Sequence, residues 1–293
     1  MINFHKMGFL DVRKLKSLTD GNNYWHHRYN PIWLFLWKDL YKPEIAFTNE
    51  FCFIRYLMPD IGICYYAPIG NDILKGIETI KQDAKENGFD FYLGPVSEKN
   101  SFQYQGVGIK LIENEQFDSY IYQAKDLAFL NGSKFKKNRF DMEEFVRTHK
   151  TSFFKKISKE EFPQILEFVE KWNCQNENKS YNQDFFSKLN MLKVSMEHMY
   201  ELDLIALMLR DEEQIYGICI ASVMDNEVCL HLIMALNDVK GCYDMLLTNF
   251  AKNAQGFAKY INFEEDFGIK ELRKLKEGYN PVRLEKFYGN FSL

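Results

Sequence analysis

The chain has 293 residues, with 4 Trp, 17 Tyr and 26 Phe against 7 Pro and 16 Gly, a balance that excludes disordered, collagen-like and linker-rich architectures. The net charge of −4 gives no overall reason to expect nucleic acid or an anionic membrane as partner, so either would need a local patch. The length suits two domains or one large one, each able to bury a sizeable core.

In chain order, apolar spacing and turn residues predict helices over 11–20 and 29–40, then strands over 44–48, 50–57 and 62–67. A helix over 72–87, a strand over 89–93, a short helix over 98–105 and strands over 108–112 and 117–122 follow. A helical connector is expected over 125–150. The second half opens with a strand over 151–157 and a helix over 158–174, whose apolar face is Phe162, Ile165, Leu166, Val169 and Trp172. Pro163 must then lie in its first turn. A helix over 182–197 precedes strands over 203–210, 214–224 and 227–236, separated by the turn-prone runs Asp211-Glu212-Glu213 and Asp225-Asn226. The last elements are a helix over 241–257, a strand over 259–263, a helix over 269–276 and a strand over 282–288.

The two halves share this element order, which suggests a duplicated α/β unit with domains at 1–150 and 151–293. The longest apolar runs, 32–37 and 215–224, fall short of the ~20 residues that cross a bilayer. The N-terminus has no apolar core of a signal peptide. Cys52, Cys64, Cys174, Cys219, Cys229 and Cys242 form no C-x-x-C pair and are expected as reduced core residues of a cytoplasmic protein.

The element order resembles the GNAT acyltransferase fold, and the doubled order is similar to the tandem GNAT enzymes that take an aminoacyl group from tRNA. The expected architecture is therefore two tandem GNAT-like domains with mixed central sheets. The resemblance implies that strands four and five splay apart, that strand four holds the acyl donor, and that the following helix N-terminus receives its pyrophosphate. Here that turn is Asp238-Val239-Lys240-Gly241-Cys242-Tyr243, which keeps only the first glycine of the usual R/Q-x-x-G-x-G/A pattern and begins with an acid unfavourable to coenzyme A. Gln103-Tyr104-Gln105-Gly106-Val107-Gly108 fits the spelling, but a strand rather than a helix is expected after it.

Two further motifs are more specific. The run from Asn262 through Glu264-Glu265-Asp266, Gly268-Ile269, Leu272-Arg273, Lys276 and Tyr279 to Pro281 resembles a signature of a bacterial family related to the C-terminal domain of phosphatidylglycerol lysyltransferases. The run from Tyr120-Ile121-Tyr122 through Asp126-Leu127 to Gly132-Ser133-Lys134 and Arg139 is similar to a second segment of that family, and Trp37 and Trp172 also fit. One departure stands out: strand four usually reads H-x-E-K-A in the family, whereas His231-Leu232-Ile233-Met234-Ala235 keeps the histidine and loses both charges.

Among candidate catalytic residues, Glu264 and Glu265 lie with Asp266 between a short strand and a helix. They either cap and favour that helix, or take a proton from, or hold, an attacking amine or hydroxyl. Arg273, Lys276 and Tyr279 recur at spacing three and would share one helix face if the helix continued past 276; Tyr279 is a candidate general acid or a buried ring. His231 is a core residue or a catalyst. Glu264, Glu265, His231 and Tyr279 are thus the catalytic candidates, and Asp266, Arg273 and Lys276 candidates for substrate binding. No second histidine sits at ligand spacing from His231, and His26 and His27 are adjacent, so no metal is expected.

From Lys134 to Lys159 nine basic residues face three acidic ones. Lys136, Lys137 and Arg139 are the substrate-binding candidates there, for tRNA phosphates, a nucleotide or anionic lipid; otherwise the segment is a solvated helix face. The expected function is acyl or aminoacyl transfer to an amine or hydroxyl, from acyl-CoA or aminoacyl-tRNA, in a cleft between the domains. The alternative is a non-catalytic module that binds a nucleotide, RNA or protein.

Overall fold

The structure is a computed structural model that describes residues 2–19, 26–182 and 184–291; the expected helix end at Asp20 lies outside them. The chain divides into two compact units, Met1–Ser119 with Leu284–Leu293, and Tyr120–Arg283.

In the first unit, β1 (His5–Lys6) precedes α1 (Phe9–Thr19). The helix expected over 29–40 is broken: α2 (Pro31–Leu36), with Pro31 at its start and Asn30 capping it, is separated by Trp37 from α3 (Lys38–Tyr41). Then come β2 (Glu44–Phe47), β3 (Phe51–Met58), β4 (Gly62–Tyr65), β5 (Ile69–Gly70), α4 (Ile73–Asn87), β6 (Tyr92–Leu93), β7 (Val96–Ser97), α5 (Glu98–Gln105) and β8 (Ile112–Glu113). The main sheet runs β1-β2-β3-β4-β6, with β5 also on β3. Its strands are antiparallel except for β6, which returns parallel to β4 after α4.

The second unit contains β9 (Ser119–Gln123), α6 (Ala124–Phe129), α7 (Lys136–Thr148), β10 (Phe153–Lys156), α8 (Phe162–Asn176) and α9 (Phe185–His198). After these come β11 (Ile205–Arg210), β12 (Ile215–Met224), β13 (Glu227–Ala235), α10 (Cys242–Ala254), β14 (Tyr260–Asn262) and α11 (Lys270–Gly278), and the boundary then falls after the first residue of β15 (Arg283–Glu285). The last strand, β16 (Phe287–Gly289), belongs to the first unit, where it pairs with β7 and β8. The second sheet is ordered β10-β11-β12-β13-β14-β9-β15. Here too three antiparallel strands lead through a helix to a parallel partner, β14 beside β13. Leu246, Leu247, Phe250, Ala251 and Ala254 of α10 are fully buried, at i, i+1, i+4, i+5 and i+8, the stripe of a helix facing a core.

The division falls at residue 119 rather than at 150. The strand expected over 117–122 is β9, and its backbone pairs with β14 inside the second sheet. The segment expected as a connector is α6 and α7, both packed on α10; apolar periodicity marks such helices without naming the core that receives them. Five cysteines are buried as expected, whereas Cys174 is exposed near the end of α8.

Candidate functional site

Strand β13 is the pivot of the second unit. It pairs with β14 only over Glu227–Cys229, opposite Tyr260–Asn262, and runs on to Ala235 with β12 along its other edge. After Asn262 the chain follows β9 instead: the Phe263 N–H donates to the Tyr120 carbonyl at 2.9 Å, and the Tyr120 N–H to the Glu264 carbonyl at 3.3 Å. The two parallel strands therefore part, leaving backbone groups of β13 beyond Cys229 without a strand partner on that side among the described residues.

A bulge lies at the start of this split. Ala221 pairs with Leu230 and Ile220 with Leu232, so His231 is the extra residue, and such an insertion re-aims a side chain. Its Nδ1 lies 2.7 Å from Glu264 Oε1 and its Nε2 2.8 Å from Ser222 Oγ on β12. Glu264 reaches the ring because its backbone is left-handed, with φ of 58°, a conformation uncommon for a residue with a Cβ. Asn262 supports that turn by accepting the Glu264 N–H at 2.8 Å, while its amide donates to Glu227 at 3.1 Å. Glu227 in turn pairs with Arg283.

The C-terminal candidates are brought together around the same turn. The buried Lys276 ammonium donates to the carbonyls of Phe263 at 2.5 Å, Glu264 at 3.3 Å and Glu265 at 2.6 Å. Burial pulls its pKa down to about 8, against the opposing pull of Glu265, Glu264 and Asp266. Asp266 is fully buried; it accepts from Arg273 Nε at 2.8 Å, the Tyr120 hydroxyl at 2.6 Å and the Gly268 N–H at 2.7 Å. It therefore makes an Asx turn ahead of α11, whose N-cap is Ile269. Arg273, Lys276 and Asp266 thus hold the turn through internal contacts. Glu265 is 2 % exposed, less open to a ligand than Glu264.

Tyr120 and Tyr122, alternate residues of β9, point to the same side of the sheet. One reaches Asp266, and the other donates to the Lys276 carbonyl at 2.7 Å. The two distant sequence motifs are therefore one structural unit. Burial, then Asp266, pushes the Tyr120 hydroxyl well up. Tyr279 donates to Asp244 on α10 at 2.5 Å, and burial, Tyr243 and Asp244 hold its hydroxyl protonated far above the ordinary tyrosine range. It lines a cavity of about 390 Å³ with Asp126, Ser133 and Lys134.

The basic segment is partly neutralised. Lys137 pairs with Asp141 at 2.6 Å, Lys155 pairs with Glu161, and Arg139 donates to the carbonyls of Leu130 at 2.5 Å and Gly132 at 2.9 Å. Lys136, Arg147, Lys150 and Lys156 are exposed. The expected pyrophosphate turn is closed by the chain itself. A Cβ on Gly241, where φ is 76°, would lie 2.2 Å from the Asp141 carbonyl of α7. Lys240 is held by Asp141 at 3.1 Å and Glu144 at 2.8 Å, and Asn237 donates to Asn176 at 2.6 Å. Residues Ser222, Asn262, Glu227 and Asp244 escaped the sequence candidates. The readable signal was a polar residue inside an otherwise apolar strand, Ser222 in β12 above all. His26 caps and His27 opens a tight 3₁₀ turn of the first unit, and no group of side chains suited to a metal occurs among the described residues. No helix among them is long and apolar enough to cross a membrane.

Residues 23–289 match the family described as phosphatidylglycerol lysyltransferase, C-terminal. Among solved structures, a conserved protein of unknown function from Bacteroides thetaiotaomicron VPI-5482 superposes with a TM-score of 0.89 at 22% identity, over 99% of each chain. L-PGS from Bacillus licheniformis superposes with a TM-score of 0.69 at 14% identity, over 97% of this chain and 91% of that one. These neighbours share a GNAT-like acyltransferase fold with mixed α/β sheets. Nothing among curated proteins matches.

Proposed function

The chain belongs to the phosphatidylglycerol lysyltransferase C-terminal family, and from that membership we propose that it transfers an aminoacyl group from an aminoacyl-tRNA to a hydroxyl or amine acceptor. The observation that carries the proposal is the split between β13 and β14, with Glu264 on its wall and His231 behind it. N–H groups of β13 beyond Cys229, without a strand partner on that side among the described residues, supply donors for the acyl carbonyl and for the oxyanion formed on attack. The His231 side chain is 0 % exposed and that of Glu264 11 %, so Glu264 is the group that meets the acceptor. Its carboxylate takes the acceptor's proton as the new ester or amide bond forms and returns it to the ribose oxygen as the donor's ester bond breaks. The repeated arrangement of three antiparallel strands, helix and parallel strand in each unit supports duplication of one ancestral fold.

The closed turn at Gly241 favours aminoacyl-tRNA over acyl-CoA as donor, because carboxylates and backbone of α7 stand where a pyrophosphate would bind. Exposed Lys136, Arg147, Lys150 and Lys156 give tRNA phosphates or anionic headgroups a place to meet the protein. The same closed turn, with the uncharged Ile233 and Met234 of β13, also suits the second reading, a non-catalytic binder of RNA or nucleotide. Thermal shift separates the cases, since a bound donor raises apparent stability. A rise with lysyl-tRNA and other aminoacyl-tRNAs but not with acyl-CoAs is expected. A rise with acyl-CoA alone, or equal rises with charged and uncharged tRNA, contradicts the proposed donor.

A further inference from the structure

Helix α4 of the first unit buries Gly76, Ile77, Ile80 and Ala84, and one carboxylate, Asp83, lies among them. Its side chain is 1 % exposed. Both donors that reach it meet the same oxygen: Arg55 Nη1 stands 3.1 Å and the Tyr65 hydroxyl 2.7 Å from Oδ2. Oδ1 accepts no hydrogen bond among the described residues, and a buried polar atom left in that state is costly. Arg55 also serves a second carboxylate, since its Nε donates to Glu44 at 2.6 Å.

Asp83 lines a cavity of about 610 Å³ in this unit. One wall is apolar, with Phe47 of β2 beside Ala46 and Phe53, which are cross-strand partners on β2 and β3. The other wall is α4, which adds Glu78 and Glu86. Lys75 lies there too, but pairs with Glu50 at 2.5 Å, so carboxylates predominate. Along the helix axis, residues 78, 83 and 86 follow one another at steps of about 8 and 5 Å. We propose that this cavity binds a linear aliphatic polyamine, with a primary ammonium donating to Asp83 Oδ1, methylene segments against Phe47 and Phe53, and further ammonium groups at Glu78 and Glu86. Propyl and butyl segments between nitrogens have lengths of the order of those steps. Oδ1 is recessed, with almost no exposed surface, which suits a slender primary amine and excludes a quaternary one. The apolar wall sets the site apart from an acidic surface patch, because a metal dication gains nothing from Phe47. The site lies wholly in the first unit and is independent of the transfer chemistry assigned to the second.

The test is calorimetric titration of the full chain with spermidine at fixed ionic strength, repeated in the presence of an equal concentration of tetramethylammonium or Mg²⁺. Saturable binding of spermidine is expected, with neither competitor displacing it. Asp83→Asn, which retains the size of the side chain, weakens binding at least about tenfold by removing a charge-assisted hydrogen bond. Glu78→Gln combined with Glu86→Gln, both exposed positions, weakens it about fivefold. Asp83 also holds Arg55 and Tyr65, so its variant is compared only if its circular-dichroism spectrum is that of the wild type. Phe47→Ala leaves those contacts in place and is expected to weaken spermidine about fivefold through lost apolar contact. No saturable binding by the wild type overturns the proposal, as does unchanged affinity in a folded Asp83→Asn or in Phe47→Ala. Displacement by an equal concentration of Mg²⁺ also overturns it, since that is the behaviour of an acidic surface alone.

Discussion

Lys276 shows how a residue chosen from sequence as a substrate ligand has another use in the structure. Its three donors are directed at the carbonyls of 263, 264 and 265, so Lys276→Met leaves buried acceptors unsatisfied and is expected to cost about 3 kcal/mol in urea unfolding at pH 7. The unfolded chain keeps this proton to the ordinary 10.5, whereas the folded chain gives it up at about 8. In that window the unfolded state binds more protons, and the contribution of Lys276 to stability rises with pH. The wild-type advantage over Lys276→Met should therefore widen from pH 8 to pH 10; an advantage that stays flat contradicts the burial of a charged amine. Asp118 in the first unit has the opposite sign. Burial pushes it up to about 6, although it accepts the Phe287 N–H. Stability from this carboxyl is thus present at low pH and lost as pH rises through about 6. Asp118→Asn, which retains an acceptor, is expected to raise the melting temperature at pH 7.5 and to give no advantage at pH 4.

At the scale of elements, the critical contact is the turn before α10. Gly241 has φ of 76° and no room for a Cβ beside the Asp141 carbonyl, so Gly241→Ala should cost roughly 2–4 kcal/mol by unfolding measurements. A loss under 0.5 kcal/mol would show that α7 does not seal this turn. Most strands and helices were legible from period and turn chemistry. Their partners were not, because alternation records that a face is buried and not against which strand. Chain order therefore puts β9 with the first half, whereas it pairs in the second sheet. The C-terminal acids were legible through a family motif. Their individual roles were not: the left-handed Glu264 and the bulge at His231 depend on register, which a single sequence does not display. Ser222, by contrast, is legible as a hydroxyl amid the apolar residues of β12.

At the scale of the molecule, each unit repeats one arrangement, three antiparallel strands and a helix returning to a parallel strand, and the candidate chemistry belongs to the second. There the arrangement is opened by the divergence of β13 and β14 and pinned across the gap by His231 and Glu264. Glu264→Gln retains the shape and a hydrogen-bonding group but removes the proton acceptor, so its effect should fall on transfer rather than on folding. The decisive measurement is transfer of radiolabelled lysine from lysyl-tRNA to phosphatidylglycerol vesicles and to soluble hydroxyl and amine acceptors, by the wild type and by Glu264→Gln, with other aminoacyl-tRNAs run in parallel. The account predicts transfer to at least one acceptor by the wild type and a loss of about 100-fold or more in the variant; no transfer from any charged tRNA, or equal rates for the two proteins, would contradict it.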